Sequence, residues 1–172
     1  MTLTELLVTL VLVGVLSIAA LTVLEQGQRA WAAGAARAES QQSARVALAR
    51  LVADVRLAGF GGTGFDAVAL AEPERIVLQQ DLDADGSITT SGERVTWRLA
   101  GSILRRDAGG GAQPIINGVR VLQLRYFDAR GVATTVPQDV RTVAVVLATA
   151  PDGASAVTPS TTMSTRIRLR NR

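Results

Sequence analysis

The chain opens on a block of apolar positions with no periodicity. From Leu6 to Leu24 it reads LLVTLVLVGVLSIAALTVL, 19 residues without a charge or a proline and with one glycine. Apolar side chains fall all round a helix of this composition, as lipid demands, and at 1.5 Å per residue it reaches roughly 28 Å, near the hydrocarbon thickness of a bilayer. A signal peptide fits poorly, because no basic segment precedes the run, the run is too long and no small-residue cleavage pattern follows it. After Leu24 the pattern changes without a breaker. Residues 25–58 hold no proline and only two glycines, Gly27 and Gly34, and are rich in Ala, Gln, Arg and Leu, good helix formers. Leu48, Leu51, Val52, Val55 and Ala58 fall at i, i+3, i+4, i+7 spacing, so one face is expected to pack on a globular body while Arg45, Arg50, Asp54 and Arg56 project elsewhere. One helix from about residue 2 to residue 58 would run about 85 Å.

Gly59 opens GFGGTG, a strong stop that predicts a flexible exit from the helix. Beyond it the period shortens toward two. Arg75–Gln80, Arg94–Leu99, Ser102–Arg106, Gly118–Phe127, Asp139–Thr149 and Thr162–Arg170 read as strands, and Pro137, Pro151 and Pro159 all fall between them. A long helix followed by consecutive strands predicts an α+β fold with an antiparallel sheet covering residues 48–58. Three segments follow: an apolar, membrane-spanning half-helix over 1–25, an amphipathic half over 26–59 and a β-sheet head over 60–172.

Composition narrows the function classes. There is no Cys and no His, which removes disulfides, thiolate metal sites, thiol chemistry and the commonest general base. Hydrophobic residues are 48% of the chain but aromatics only 3%, so the core is expected to be built from Ala, Val, Leu and Ile. All 18 basic residues are Arg, against 15 acidic ones, and a net charge of +3 does not by itself argue for nucleic acid. An anchored enzyme would need a convergent acid–base or nucleophile set, and none is legible, so no catalytic residue is expected.

Glu5 is the anomaly at the edge of the apolar run. Carried to mid-bilayer, a carboxylate costs on the order of 2.5–3.5 kcal/mol. It either caps the first helical turn, helped by the helix dipole, or pairs with a cation of a neighbouring subunit. Here the residues reach a family: Met1-Thr2-Leu3-Thr4-Glu5-Leu6-Leu7-Val8 resembles the start of a processed type IV pilin or type II secretion pseudopilin. The resemblance implies a prepilin peptidase that removes a short leader, a Met1 amine that is then methylated, and pairing of Glu5 with the terminal amine of an adjacent subunit. It also implies the type IV pilin fold. Members often carry a proline near position 22; Thr22 stands here, so no kink is expected. ARVALARLVADVRLAGF over 44–60, GERVTWRL, INGVRVLQLRYFD and STRIRLRN further resemble PilW-type minor pilins, and the layout is similar to GspJ-type minor pseudopilins.

Asp81-Leu82-Asp83-Ala84-Asp85-Gly86 is a D-x-D-x-D-G run, the opening half of a calcium loop. The twelfth position is Gly92 rather than Glu, and the flanks are strand-like, so this is not an EF-hand. Two readings remain: a Ca²⁺ site built from Asp81, Asp83, Asp85, Glu93 and a carbonyl near Ser87, or an acidic, solvated hairpin loop. At the C-terminus Arg166, Arg168, Arg170 and Arg172 alternate with Ile167, Leu169 and Asn171. That is the pattern of a half-buried strand showing its Arg face to water, or of an electrostatic surface for DNA or an acidic subunit. No aromatic residues interleave with these arginines, which speaks against DNA. Gly59–Gly64 formally matches G-x-G-x-x-G, but a nucleotide site needs a strand before it and a helix after it.

The function implied by the resemblance is that of a minor pilin. It would be a structural subunit of a type IV pilus, in the priming or tip complex, with other major and minor pilins, the inner-membrane assembly machinery and membrane lipid as partners. The head would lie in the periplasm until assembly carries the subunit to the cell surface. A secretion pseudopilin and a calcium-dependent adhesion module are the alternatives.

Overall fold

In a computed structural model the described residues are 2–62 and 64–171. One helix, α1, runs without interruption over Leu3–Leu57. It passes straight through Thr22, whose hydroxyl bonds back to the carbonyls of Ile18 (3.1 Å) and Ala19 (2.8 Å). Eight strands follow, all antiparallel and each paired only with its neighbours in sequence. The first sheet holds β1 (Val68–Ala71), β2 (Arg75–Gln79), β3 (Arg94–Ala100), β4 (Ile103–Asp107) and β5 (Gln113–Ile116) in that order. The second holds β6 (Val119–Phe127), β7 (Thr142–Thr149) and β8 (Thr161–Arg168). The fold is α+β, one long N-terminal helix with antiparallel sheets, and the expected single sheet is in fact two. The strand expected from Asp139 begins only at Thr142, because Asp139 closes one turn of 3-10 helix opened by Pro137, where proline fixes a helical φ and withholds a donor from any ladder.

The chain divides into two compact units, residues 1–38 and 39–172. In the first, residues 2–35 are exposed, so α1 begins as a helix long and apolar enough to cross a membrane with no protein covering it. In the second unit, Ala44, Ala47, Leu51, Val55 and Ala58 of the helical segment are buried in one cluster with Ile76, Leu78, Val95, Trp97 and Leu104 of the first sheet and Leu122, Leu124, Val143, Val145 and Ile167 of the second. Leu48 and Val52 pack against its margin. The stripe therefore starts a turn earlier than Leu48. It does so on alanines, whose small side chains let strand and helix backbones come close.

The helix ends where its glycine predicts. Gly59 takes a φ of +79°, a left-handed geometry that glycine adopts without strain. A Cβ there would strike the carbonyl oxygen of Asn171. The Asn171 amide nitrogen in turn lies 3.3–3.4 Å from the carbonyls of Arg56, Leu57 and Ala58, covering acceptors that a helix end leaves unpaired. The Gly-rich exit is not a free tether. Gly59 donates to Gln79 O (2.8 Å), and Phe60 O accepts from Asp81 N (2.8 Å), so the segment lies along the end of β2.

Candidate functional site

Three places in the sequence carried a functional expectation, and each has a definite local structure. The first is the start of α1. Helix positions begin at Leu3, which makes Thr2 the cap and Glu5 the third helical residue. A Glu there can reach back to the cap's amide. Glu5 Oε2 does so, accepting from Thr2 N at 3.4 Å, and both residues are exposed. The geometry is the turn-capping one, with a long and weak bond that leaves the carboxylate accessible. Met1 lies outside the described residues, so its amine has no described position.

The second place is the loop from Gln80 to Glu93 that joins β2 to β3. Asp81, Asp83 and Asp85 come together, each offering an oxygen within 4.8 Å of the others. Asp81 is buried, and its two oxygens accept from Ala84 N (2.7 Å) and Gly86 N (2.9 Å). Asp83 accepts from Asp85 N (3.3 Å) and from the Thr90 hydroxyl (3.0 Å). Asp85 takes both the amide and the hydroxyl of Ser87, at 2.7 and 2.8 Å, and those bonds hold its carboxyl below the ordinary range. Glu93 is not part of this group. It is fully buried, with Oε1 on Leu82 N (3.1 Å) and Oε2 on Thr89 N (3.1 Å) and Thr90 N (2.7 Å). Three amides on one carboxylate make Glu93 the staple that closes the loop. One oxygen from each aspartate converges, three in all, fewer than the six to eight that Ca²⁺ takes. Gly61 belongs to the same construction: at φ +90° its backbone lies so close to Asp81 that a Cβ would collide with the Asp81 carbonyl.

The third place is the C-terminal strand. Arg166 and Arg168 of β8 and Arg170 just beyond it are exposed, while Ile167 and Leu169 between them are buried, the alternation of a half-buried strand. The Arg166 guanidinium sits 4.5 Å from the centre of the Phe127 ring, a cation–π contact. The G-x-G-x-x-G match has a helix before it and β1 after it, the reverse of a dinucleotide-binding context.

One functional group escaped the sequence reading. Asp54, expected to point away from the packed face, is buried in it. Its Oδ2 accepts from Trp97 Nε1 of β3 and from Arg106 Nε of β4, each at 2.7 Å, and its Oδ1 accepts from the same guanidinium at 3.1 Å. The signal was present, since Asp54 follows Leu51 by three residues and lies on the buried stripe. Trp97 accordingly packs in the buried cluster and also donates through its indole N–H.

The described architecture, a long N-terminal helix with an apolar first half and antiparallel sheets packed on its second, is compatible with a pilin-like fold. No protein-family model and no curated protein matches the sequence.

Proposed function

We propose that the chain is a minor pilin, a structural subunit whose apolar half-helix lies in the bacterial inner membrane and then joins the core of a type IV pilus. The observation that carries this reading is the contrast within α1. One continuous helix is uncovered up to residue 35 and free of charge over residues 6–24, yet packed into a head from Ala44 onward. An uncovered apolar rod needs lipid or other rods around it. The carboxylate at the edge of that stretch, Glu5, meets its own cap through a bond of 3.4 Å, and so remains able to exchange that contact for a cation supplied by a neighbouring subunit. The head then serves as a surface module at the filament's tip or in the complex that primes assembly.

Replacing Glu5 by Ala tests the reading. The variant head is expected to melt as the wild type does, while the subunit falls by about ten-fold or more in filaments sheared from cells, since stripping the partner from a buried cation costs several kcal/mol. Incorporation at the normal level would refute the proposal. The co-purifying subunits then identify the filament as a pilus or a secretion pseudopilus.

A further inference from the structure

The outer face of the first sheet carries an arrangement of charge that nothing in the chain resolves. Residue pairing places Arg75 of β2 opposite Arg98 of β3, and Arg98 opposite Arg105 of β4. Three guanidinium-bearing residues thus stand side by side on adjacent strands, on the face turned away from the buried cluster that holds Ile76, Trp97 and Leu104. Strands lie about 4.8 Å apart, and like charges directly opposite one another are destabilising. Arg75 and Arg98 are exposed. Arg105 is half-buried and donates one bond to the Ala112 carbonyl at 3.1 Å. Glu72 and Glu74 occupy the adjoining β1–β2 turn, yet among the described residues no ion pair within 4.0 Å involves any of the three arginines.

The complement of this ladder lies at the other end of the same hairpin. The loop after β2 presents Asp83 and Asp85, both exposed and both on the carboxylate cluster of 4.8 Å span. Asp85 Oδ1 takes both bonds from Ser87. The ladder begins four residues back along β2 from the last strand residue, Gln79, which is about 13 Å along the strand axis. The three arginines therefore lie toward one end of the hairpin and the two exposed aspartates at the other. We propose that the Arg75–Arg98–Arg105 face is a docking surface whose occupant is the Asp83–Asp85 loop of a second copy of this chain. Donor and acceptor lie at different places on each copy, so the contact is heterologous and can propagate head to tail. Guanidinium forks on carboxylates supply direction. Single-stranded nucleic acid fits less well, because the ladder's three positions supply no exposed aromatic ring on which a base could stack. The inference stands on the head alone and does not rest on the filament reading.

The absence of cysteine from the chain makes a cross-linking test clean. Two singly substituted full-length chains, Ala84→Cys in the loop and Ala100→Cys two residues from Arg98, are mixed in detergent at no more than one chain per micelle and treated with a short bis-maleimide. The mixed dimer is expected to exceed either homodimer by roughly five-fold and to fall by a similar factor in about 0.5 M NaCl. Arg98→Glu in the Ala100→Cys chain should abolish it, and adding Asp85→Arg to the Ala84→Cys chain should restore it. Arg75→Ala, a milder change at an exposed position, gives a second reading should Arg98→Glu disturb the fold. Homodimers as abundant as the mixed species, indifference to charge reversal, or failure of the swap to restore the product would overturn the proposal. So would displacement of fluorescent poly-glutamate or duplex DNA from the ladder with no mixed dimer formed, since the face would then belong to another occupant.

Discussion

Tyr126, the chain's one tyrosine, lies on β6 with its hydroxyl 2.6 Å from the Glu72 carbonyl and 3.2 Å from that of Arg75. It ties the second sheet to the β1–β2 turn of the first, beside the backbone bond from Leu124 N to Pro73 O. Burial, with the Glu72 charge adding to it, pushes the phenol up from its ordinary value. The folded head thus favours the neutral phenol. Its contribution is fully present below the unfolded value of about 10 and is lost as pH rises through the higher folded value. Phenolate absorbance is therefore expected to stay flat through the ordinary tyrosine range and to appear together with loss of circular dichroism. Titration at the ordinary value in a still-folded head would show the hydroxyl to be free. Thr149 is the converse case. It is buried on β7, and its hydroxyl is the one buried side-chain polar atom among the described residues with no hydrogen-bond partner. Val keeps the shape and removes the stranded group, so Thr149→Val is expected to raise stability by about 1 kcal/mol, read as a higher melting temperature. A fall of that size would mean that the hydroxyl has a partner, such as an ordered water.

At the scale of elements, the junction of α1 with β3 and β4 turns on Asp54. The carboxylate satisfies an indole and a guanidinium at once, and the Arg106 and Asp54 side chains are only 17% and 11% exposed. Asp54→Ala strands both partners, so unfolding of the head by denaturant should show a loss of about 3–5 kcal/mol. A change below about 1 kcal/mol would place the pair with ordinary surface bridges. The helix and six of the eight strands are legible in the hydrophobic pattern because their apolar positions are set by a face that must be buried. β1 and β5 are not legible. Each is four residues long; Val68-Ala-Leu-Ala71 shows no clean alternation, and β5 contains Pro114, a residue expected between strands but tolerated at a sheet edge. Both form because a neighbouring strand offers its free edge, which no local pattern encodes. The acidic loop is split in the same way. The D-x-D-x-D-G spacing brings three aspartates together as read, whereas Glu93 turns to the amides of Leu82, Thr89 and Thr90 because the loop's own backbone converges on it.

The whole molecule joins two units of opposite demand. Among the described residues none before Ala44 is buried, and every buried side chain belongs to the second unit. The head's core thus takes nothing from the apolar half of α1, and on the proposed reading that half alone would hold the chain in a membrane. Two changes separate these properties. A chain lacking residues 1–25 keeps the whole buried stripe from Ala44 to Ala58 and is expected to stay in solution without detergent, melting within a few degrees of the full chain in detergent. Leu12→Arg in the full chain puts a charge near the middle of the apolar run, where insertion costs about 2.5–3.5 kcal/mol. Partition into lipid vesicles should fall sharply, with the melting temperature of the head unmoved. If Leu12→Arg instead lowers that melting temperature, or if the shortened chain aggregates, the first half of the helix is part of the head's core and the division of labour along α1 is wrong. The two outcomes are distinct in kind, because a lipid-facing position senses charge and a core position senses volume. Leu12→Ala therefore completes the test: it should leave both partition and melting nearly as they were, whereas a core leucine cut to alanine loses about 2–5 kcal/mol.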